Sequence, residues 1–398
     1  MNVVVQKTVA ELNYGLSLPH RKMEDWRWTD LRQLVDKPYP PRQTVVAAPK
    51  DVERLLKSSP FAKVAGSRLV FVNGHLSLEN SETGLVQQSK GKILGVATQI
   101  STDEPVITMN AAFATDGARL KISGTTDTPI ELLFLATNAD ARTIATRNVI
   151  EIEKGAAATL IETHLGEGTY LSNSVTEIRV GEGARLDRIK VELEAADAIH
   201  LAHTHTTLGK NTVFNDFTLT SGAKTNRQNG TVEFKGQGTE ARVSGAYMLG
   251  GKQHADTRLL IDHQVPHCTS REIFKCVMDD NARGIFQGKV IVQRDAQKTD
   301  GKQSSHALLL SETAEFDAKP ELEIFADDVV CGHGATSGDL NHDHLFYLMS
   351  RGIPPAEAKS LLIATFVGEA FDLIAHEGIK EALVKFSNKW LSQHRRAS

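Results

Sequence analysis

The sequence predicts a mainly β protein: a β-solenoid core over residues 105–338, preceded by a small α+β domain (1–104) and followed by a helical domain (339–398). Three observations lead there. From about Pro105 to Gly338, runs of five to nine residues rich in Val, Ile, Thr and Leu follow one another, with Gly, Asn and Asp between them. A short phrase recurs at the start of several runs: Gly117-Ala118-Arg119-Leu120, Gly155-Ala156-Ala157-Ala158 and Gly183-Ala184-Arg185-Leu186, with looser echoes at Gly209 and Gly238, the successive glycines lying 38, 28, 26 and 29 residues apart. After Asp339 the pattern changes to helical spacing punctuated by Gly and Pro.

In the N-terminal stretch, Thr8–Leu16 has helical spacing, with Thr8 and Glu11 placed as a capping box. A Trp-rich turn or helix follows from Met23 to Leu31, and Pro38, Pro40 and Pro41 then break the chain. Arg68–His75 reads as a strand closed by the Asn73-Gly74 turn, with Leu76–Leu78 returning as its hairpin partner.

In the core, strands are expected at Ile130–Ala136, Asn148–Glu153, Ala158–Glu162, Ser174–Val180, Arg185–Glu192 and Thr212–Thr218. A coil with one apolar face cannot bury that face alone, so coils stack and share a core, and Gly permits the sharp corners. Each interval between phrases is expected to hold about two coils. A β-sandwich or barrel with hairpins such as Asn229-Gly230 stays open at this point.

At the C-terminus, His342–Arg351 forms one helix that stops at Gly352, and Pro354-Pro355 open a second that runs from Ala356 to about His376, with Gly378 ending it. Ile379–Gln393 forms a third, followed by a basic tail. The middle helix carries Leu361, Leu362, Ile363, Ala364, Phe366, Val367, Ala370, Phe371, Leu373 and Ile374 around most of its circumference. An ordinary surface helix has one apolar stripe, so part of this one is expected to face a partner.

Composition narrows the function. Lys+Arg 45 against Asp+Glu 49 gives a net charge of −4, too near balance for a nucleic-acid or anionic-membrane partner. Three cysteines, Cys268, Cys276 and Cys331, are too few for a disulfide framework or for a four-thiolate cluster or zinc site supplied by this chain alone. Met1–Ala10 lacks a signal-peptide core and no apolar run is long enough to span a bilayer, so a cytoplasmic protein is expected.

No Gly-x-x-x-x-Gly-Lys-[Ser/Thr] loop, Gly-x-Ser-x-Gly elbow or His-Glu-x-x-His helix is present. His200, His203 and His205, followed by His254, His263, His267, Cys268 and Cys276, raise a transition-metal site as one reading and half-buried structural residues as another. Cys331 and His333 stand two apart between glycines, so on a strand both point the same way. A thiol beside an imidazole suits metal binding or sulfur transfer. A carbohydrate-active solenoid enzyme is a further reading, although the 23 aromatics are not periodic along the solenoid as sugar platforms would be.

The segments Lys319–Thr336, Leu345–Ile353, Lys298–Gly301 and His254–Arg258 resemble the SufB/SufD family of the SUF iron–sulfur cluster assembly machinery, and Trp26–Leu31 is similar to that family's N-terminal aromatic motif. The resemblance is dense from about Gly230 to Ile374. It implies a right-handed parallel β-helix between an N-terminal mixed domain and C-terminal helices, and a non-catalytic scaffold subunit. It also implies that the helices dock an ABC-type ATPase, SufC, which gives Leu361, Leu362, Phe366, Phe371, Tyr347 and Arg351 as partner-binding residues. The β-helix would pair with a SufB-type paralogue; for the isolated chain, an exposed solenoid edge leaves a homodimer and a monomer both open. In the SufB branch a sulfur-accepting cysteine lies 15 residues before the proline matching Pro320; this chain has Ser305 there, which points to the SufD branch. The resemblance implies no tightly bound cofactor, only a transient iron or iron–sulfur cluster shared with SufB, with His333 and then Cys331 as this chain's ligands.

Overall fold

The computed structural model describes residues 18–35, 37, 39–41, 47–82, 84 and 104–394. The Thr8–Leu16 helix, Pro38 and the tail beyond His394 lie outside the described residues.

Two parallel sheets stack their strands coil upon coil. The first face runs from β1 (Ser67–Val72) through the first halves of β4 (Ile130–Ile152) and β5 (Ala157–Val180) to β6 (Arg185–Leu193), β8 (Val213–Thr220), β10 (Glu240–Leu249), β12 (Thr269–Met278), β14 (Asp300–Leu309) and β16 (Val330–Gly338). The second runs from β3 (Arg119–Ile122) through the second halves of β4 and β5 to β7 (Ile199–Leu208), β9 (Thr225–Phe234), β11 (His254–His263), β13 (Arg283–Val292) and β15 (Glu315–Ile324). This is the expected parallel β-helix. Asn229-Gly230 lies inside β9 rather than at a hairpin turn.

The register corrects one expectation. Residues aligned across the first face, Leu160, Arg188, Asp216, Val243, Glu272, Gln303 and His333, lie 27 to 31 residues apart, so each phrase interval holds one coil of two strands, not two coils. The strands are the reason: most have about ten residues and span roughly 33 Å, which makes a wide, flat coil. At one corner a residue of positive φ recurs in every coil: Gly155, Gly183, Asn211, Gly238, His267 and Lys298. The backbone N–H of Gly183 there donates to the Lys210 carbonyl of the next coil (2.8 Å), and that of Asn211 to Gln237 (3.0 Å). The echo at Gly209 is therefore out of phase, because Asn211 holds the left-handed position, which Asn tolerates better than most residues.

Alternation sends every second side chain inward. The inward set includes Leu160, Leu186, Phe214, Tyr247, Phe274, Phe286 and Val290, all buried in one continuous apolar cluster. The outward sets are covered differently on each face. On the second face, Leu171, Ile199 and Leu201 pack against Leu18, Trp26, Leu31, Tyr39 and helix α3 (Pro105–Phe113); the short α1 (Leu31–Leu34) precedes it. Arg227 pins this layer. Its guanidinium is fully buried, stacks on Trp26 at 4.5 Å, pairs with Asp256 and donates to the Asp25 carbonyl at 2.7 Å.

On the first face, α2 (Pro49–Ser58) lays Val52 and Leu55 over Val70, Leu133 and Leu165. Further along, Ile189, Val191, Phe217 and Met248 receive α5 (Pro355–Phe371) and α6 (Glu377–His394), which follow α4 (His342–Ser350). The middle helix stops at Phe371, short of the expected His376, and Gly378 sits in the first turn of α6 instead of ending α5. Gly352 (φ +86°) does end α4. The Asn73-Gly74 turn has both residues at positive φ and joins β1 to β2 (His75–Leu76), as expected. Because β1 pairs in parallel with β4, the N-terminal α+β part is continuous with the solenoid sheet.

Candidate functional site

Among the described residues, the β-helix ends without a cap. β15 pairs only with β13 and β16 only with β14, so each presents one free edge. Ile324 (41% exposed), Phe325 (59%) and Val330 (63%) stand in solvent beside those edges. Unpaired strand edges flanked by apolar side chains suit a partner strand or sheet.

The inward rows of the first face emerge here. Cys331 lies over Gly301, its Sγ 3.5 Å from where a Cβ on that glycine would stand, an ordinary packing contact. His333 projects from the same side two residues on, in register with Gln303, and is exposed. The alternation argument thus places the pair together, with the thiol half-buried and the imidazole open. The neighbouring imidazole does not activate the thiol: burial pushes the Cys331 thiol up, and the carboxylates of Asp300 and Glu272 add to it. Cys331 is a protonated thiol at neutral pH that a metal would have to deprotonate.

Below this pair lies a polar floor that the sequence did not announce. Glu272 is fully buried on the row that ends at His333, with neither carboxylate oxygen meeting a hydrogen-bond partner, and burial pushes it up to about 8. The hydroxyl of Ser305 and the amide oxygen of Gln303 are likewise buried and unpartnered. A signal existed: Ser270 and Glu272 interrupt, at period two, a strand whose other inward residues are Phe274, Cys276 and Met278. Cys268 and Cys276 are buried free thiols, both held protonated by burial, which fits a structural role.

The helical surface beside the open end carries a second patch. Phe346 (73% exposed), Tyr347 (60%), Met349 (42%) and Leu361 (45%) are exposed, as is Arg351. Leu362 and Phe366 are half-buried, with the Lys275 ammonium 4.7 Å above the Phe366 ring. Phe371 departs from the expectation. It is 1% exposed and packs edge-on against Phe217 at 5.8 Å, so it anchors α5 to the solenoid instead of facing a partner. The over-apolar helix is explained mostly by contact with two layers, the sheet and α6. Phe346 and Met349 escape sequence reasoning because α4 is too short to define an apolar stripe.

The histidines do not converge as one site. Alternation turns His203 and His205 outward, into a cleft of about 590 Å³ lined by Trp26, Glu104, Arg227 and Arg258. Burial pushes His203 down to about 3, so it is neutral there. His254 bonds Thr29 Oγ1 at 2.9 Å, and His263 stacks on Phe234 at 4.1 Å and contacts Ser270 at 3.1 Å. His200 points inward. Burial pulls it down, but Glu194 and Glu192 on either side outweigh that and raise it to about 9. The single His200–Cys276 metal site is thus corrected: a one-residue step in a strand reverses the face.

The family described as SUF system FeS cluster assembly, SufBD core domain, matches residues 134–366. An iron–sulfur cluster assembly SufBD family protein of Synechocystis sp. is 32% identical over 395 residues, covering 92% of this chain and 86% of the relative. The iron–sulfur cluster assembly protein SufD of Escherichia coli is 29% identical over 378 residues, covering 92% and 88%. A SufBD family protein of Mycobacterium leprae is 33% identical over 243 residues, covering 59% and 62%. No helix among the described residues is long and apolar enough to cross a membrane.

Proposed function

The chain belongs to the SufBD family of the SUF iron–sulfur cluster assembly system, and from that premise we propose that it is a SufD-type scaffold subunit, non-catalytic by itself, within an ATP-driven assembly complex. The carbohydrate-active reading gives way to the family assignment. The observation that carries the proposal is the uncapped end of the β-helix, with two free strand edges and His333 exposed on the last strand.

In this reading a SufB-type paralogue pairs with the edges of β15 and β16, and in its absence a second copy of this chain does so. His333 offers an imidazole to iron or a nascent cluster held between the subunits, with Cys331 as a second ligand once deprotonated. A subunit that shares a transient cluster needs only one or two ligands of its own. Ser305 fits that division of labour: its hydroxyl cannot carry persulfide sulfur as a thiolate can, so the sulfur-accepting group belongs to the partner. Tyr347, Arg351 and Leu361, with half-buried Leu362 and Phe366 behind them, form the surface for the ATPase subunit SufC. The three free thiols suit a reducing, cytoplasmic setting.

The test is His333→Ala. The variant should fold and co-purify with its partner subunits, while cluster content on the complex and the activity of iron–sulfur enzymes in the cell fall. Unchanged maturation of those enzymes would refute the assigned role.

A further inference from the structure

Deeper in the solenoid, six strand spacings or roughly 29 Å from His333, the interior holds an unusually polar group of side chains. His164 on β5 and His200 on β7 reach inward from opposite faces, their rings 4.8 Å apart and edge-to-face. Glu194, just after β6, joins them, and one ligand atom from each of the three residues lies within 4.8 Å of the others. All three are buried.

The far nitrogen of each ring is already engaged by a carboxylate. His164 Nε2 bonds Glu162 Oε1 at 2.8 Å, and His200 Nε2 pairs with Glu192 Oε1 at 3.0 Å. Metal-bound histidines are characteristically held this way, with an outer carboxylate on one nitrogen fixing the tautomer and turning the other toward the ion. Here the arrangement occurs twice. His200 Nδ1 is hydrogen-bonded directly to Glu194 Oε1 at 3.0 Å, a contact that a bound cation would replace.

Charge points the same way. The buried network holds the carboxylates of Glu162, Glu192, Glu194 and Asp216 against the permanent cations Arg188 and Lys190. The four carboxylates outnumber the two permanent cations, an excess that a cation at this site would offset. Tyr170 gives an independent sign. It is 1% exposed, its hydroxyl has no hydrogen-bond partner, and it lines the same small cavity of about 20 Å³ as His164 and Glu194. That volume suffices for one water-sized body.

We propose that His164, Glu194 and His200 form an internal binding site for a divalent first-row transition cation of the Fe²⁺, Co²⁺ or Zn²⁺ class, with Glu162 and Glu192 as the outer carboxylates. Two imidazoles and one carboxylate suit these ions and not Mg²⁺ or Ca²⁺, which prefer oxygen. The site is separate from the open end of the β-helix and does not depend on the role assigned to His333.

The test uses the full chain, unfolded with denaturant and chelator, refolded with Co²⁺ and desalted. A single Co²⁺ per chain, with the visible absorption of an imidazole-ligated ion and a raised melting temperature, is expected. The double variant Cys331→Ala/His333→Ala should retain both signals. Glu194→Gln, which is isosteric, should lose the ion, and Glu162→Gln should weaken binding about 10–100-fold. No retained Co²⁺ or Zn²⁺ in the wild-type chain, or loss of the ion in the Cys331→Ala/His333→Ala variant, overturns the proposal. Both of those arms decide the question even if Glu194→Gln does not fold. Failure here leaves the scaffold reading standing, because that reading is tested by cluster assembly in the His333 variant.

Discussion

Replacing Glu272 by glutamine should stabilise the protein at alkaline pH. The carboxyl sits on the inward row of the first face, between Val243 and Gln303, with no hydrogen-bond partner for either oxygen. Burial raises it from 4.5 to about 8; Ser270 and Arg271 oppose that rise without cancelling it. The sign follows from proton uptake. Between pH 4.5 and about 8 the native state holds a proton that the unfolded chain has released, so native stability is full below pH 4.5, falls as pH rises through this window and levels off above it. At about 1.4 kcal/mol per pH unit, the ionised carboxylate costs on the order of 5 kcal/mol above pH 8. Glutamine has the same shape and cannot ionise. Urea denaturation followed by circular dichroism from pH 4 to 9 should show wild type and Glu272→Gln converging near the acid end and separating by several kcal/mol at the alkaline end. Parallel curves, or a variant less stable than wild type at pH 9, would refute the reasoning, because they would require a partner for the carboxylate.

Phe371→Ala should destabilise by about 3–5 kcal/mol, since it removes a buried ring that ties α5 to Phe217, whereas the exposed Tyr347→Asp should leave thermal unfolding nearly unchanged and abolish capture of the proposed ATPase partner. Gly183→Ala should cost about 1–2 kcal/mol by denaturant titration: φ there is +66° and no atom lies within 4 Å of the added methyl, so backbone conformation alone accounts for the loss. Arg227→Ala should cost about 3–5 kcal/mol by leaving Asp256 buried without its cation, and limited proteolysis should then cut first near Trp26, whose ring the guanidinium covers.

Much of the architecture is legible in the sequence because it depends on local rules. Alternation marks the strands, the Gly-Ala-Arg-Leu phrase marks the corners, and Gly352 and Pro355 mark helix boundaries. Period two also places Cys331 and His333 on one side of a strand from their spacing alone. The missing thiol at Ser305 is equally legible, and it motivates the proposal that sulfur chemistry belongs to a partner. The number of strands per coil is not, because an interval of about 28 residues fits either two short coils or one wide one until the register is known. Phe371 misleads for a related reason. An apolar residue on a helix looks the same in sequence whether a sheet, a second helix or a separate chain covers it, and here the sheet does.

The sequence by itself therefore determined the fold class and the placement of Cys331 and His333 on one side of a strand, since each follows from periodicity, turn chemistry or long contiguous resemblance. Only the tertiary structure decided which polar residues share the interior. His164 lies on β5, Glu194 just after β6 and His200 on β7, and Glu272 is separated from His333 by 61 positions yet stands on its row. Stacking of coils brings such residues together through register, a long-range property set by the summed lengths of the corners and strands between them, and no local pattern encodes that sum.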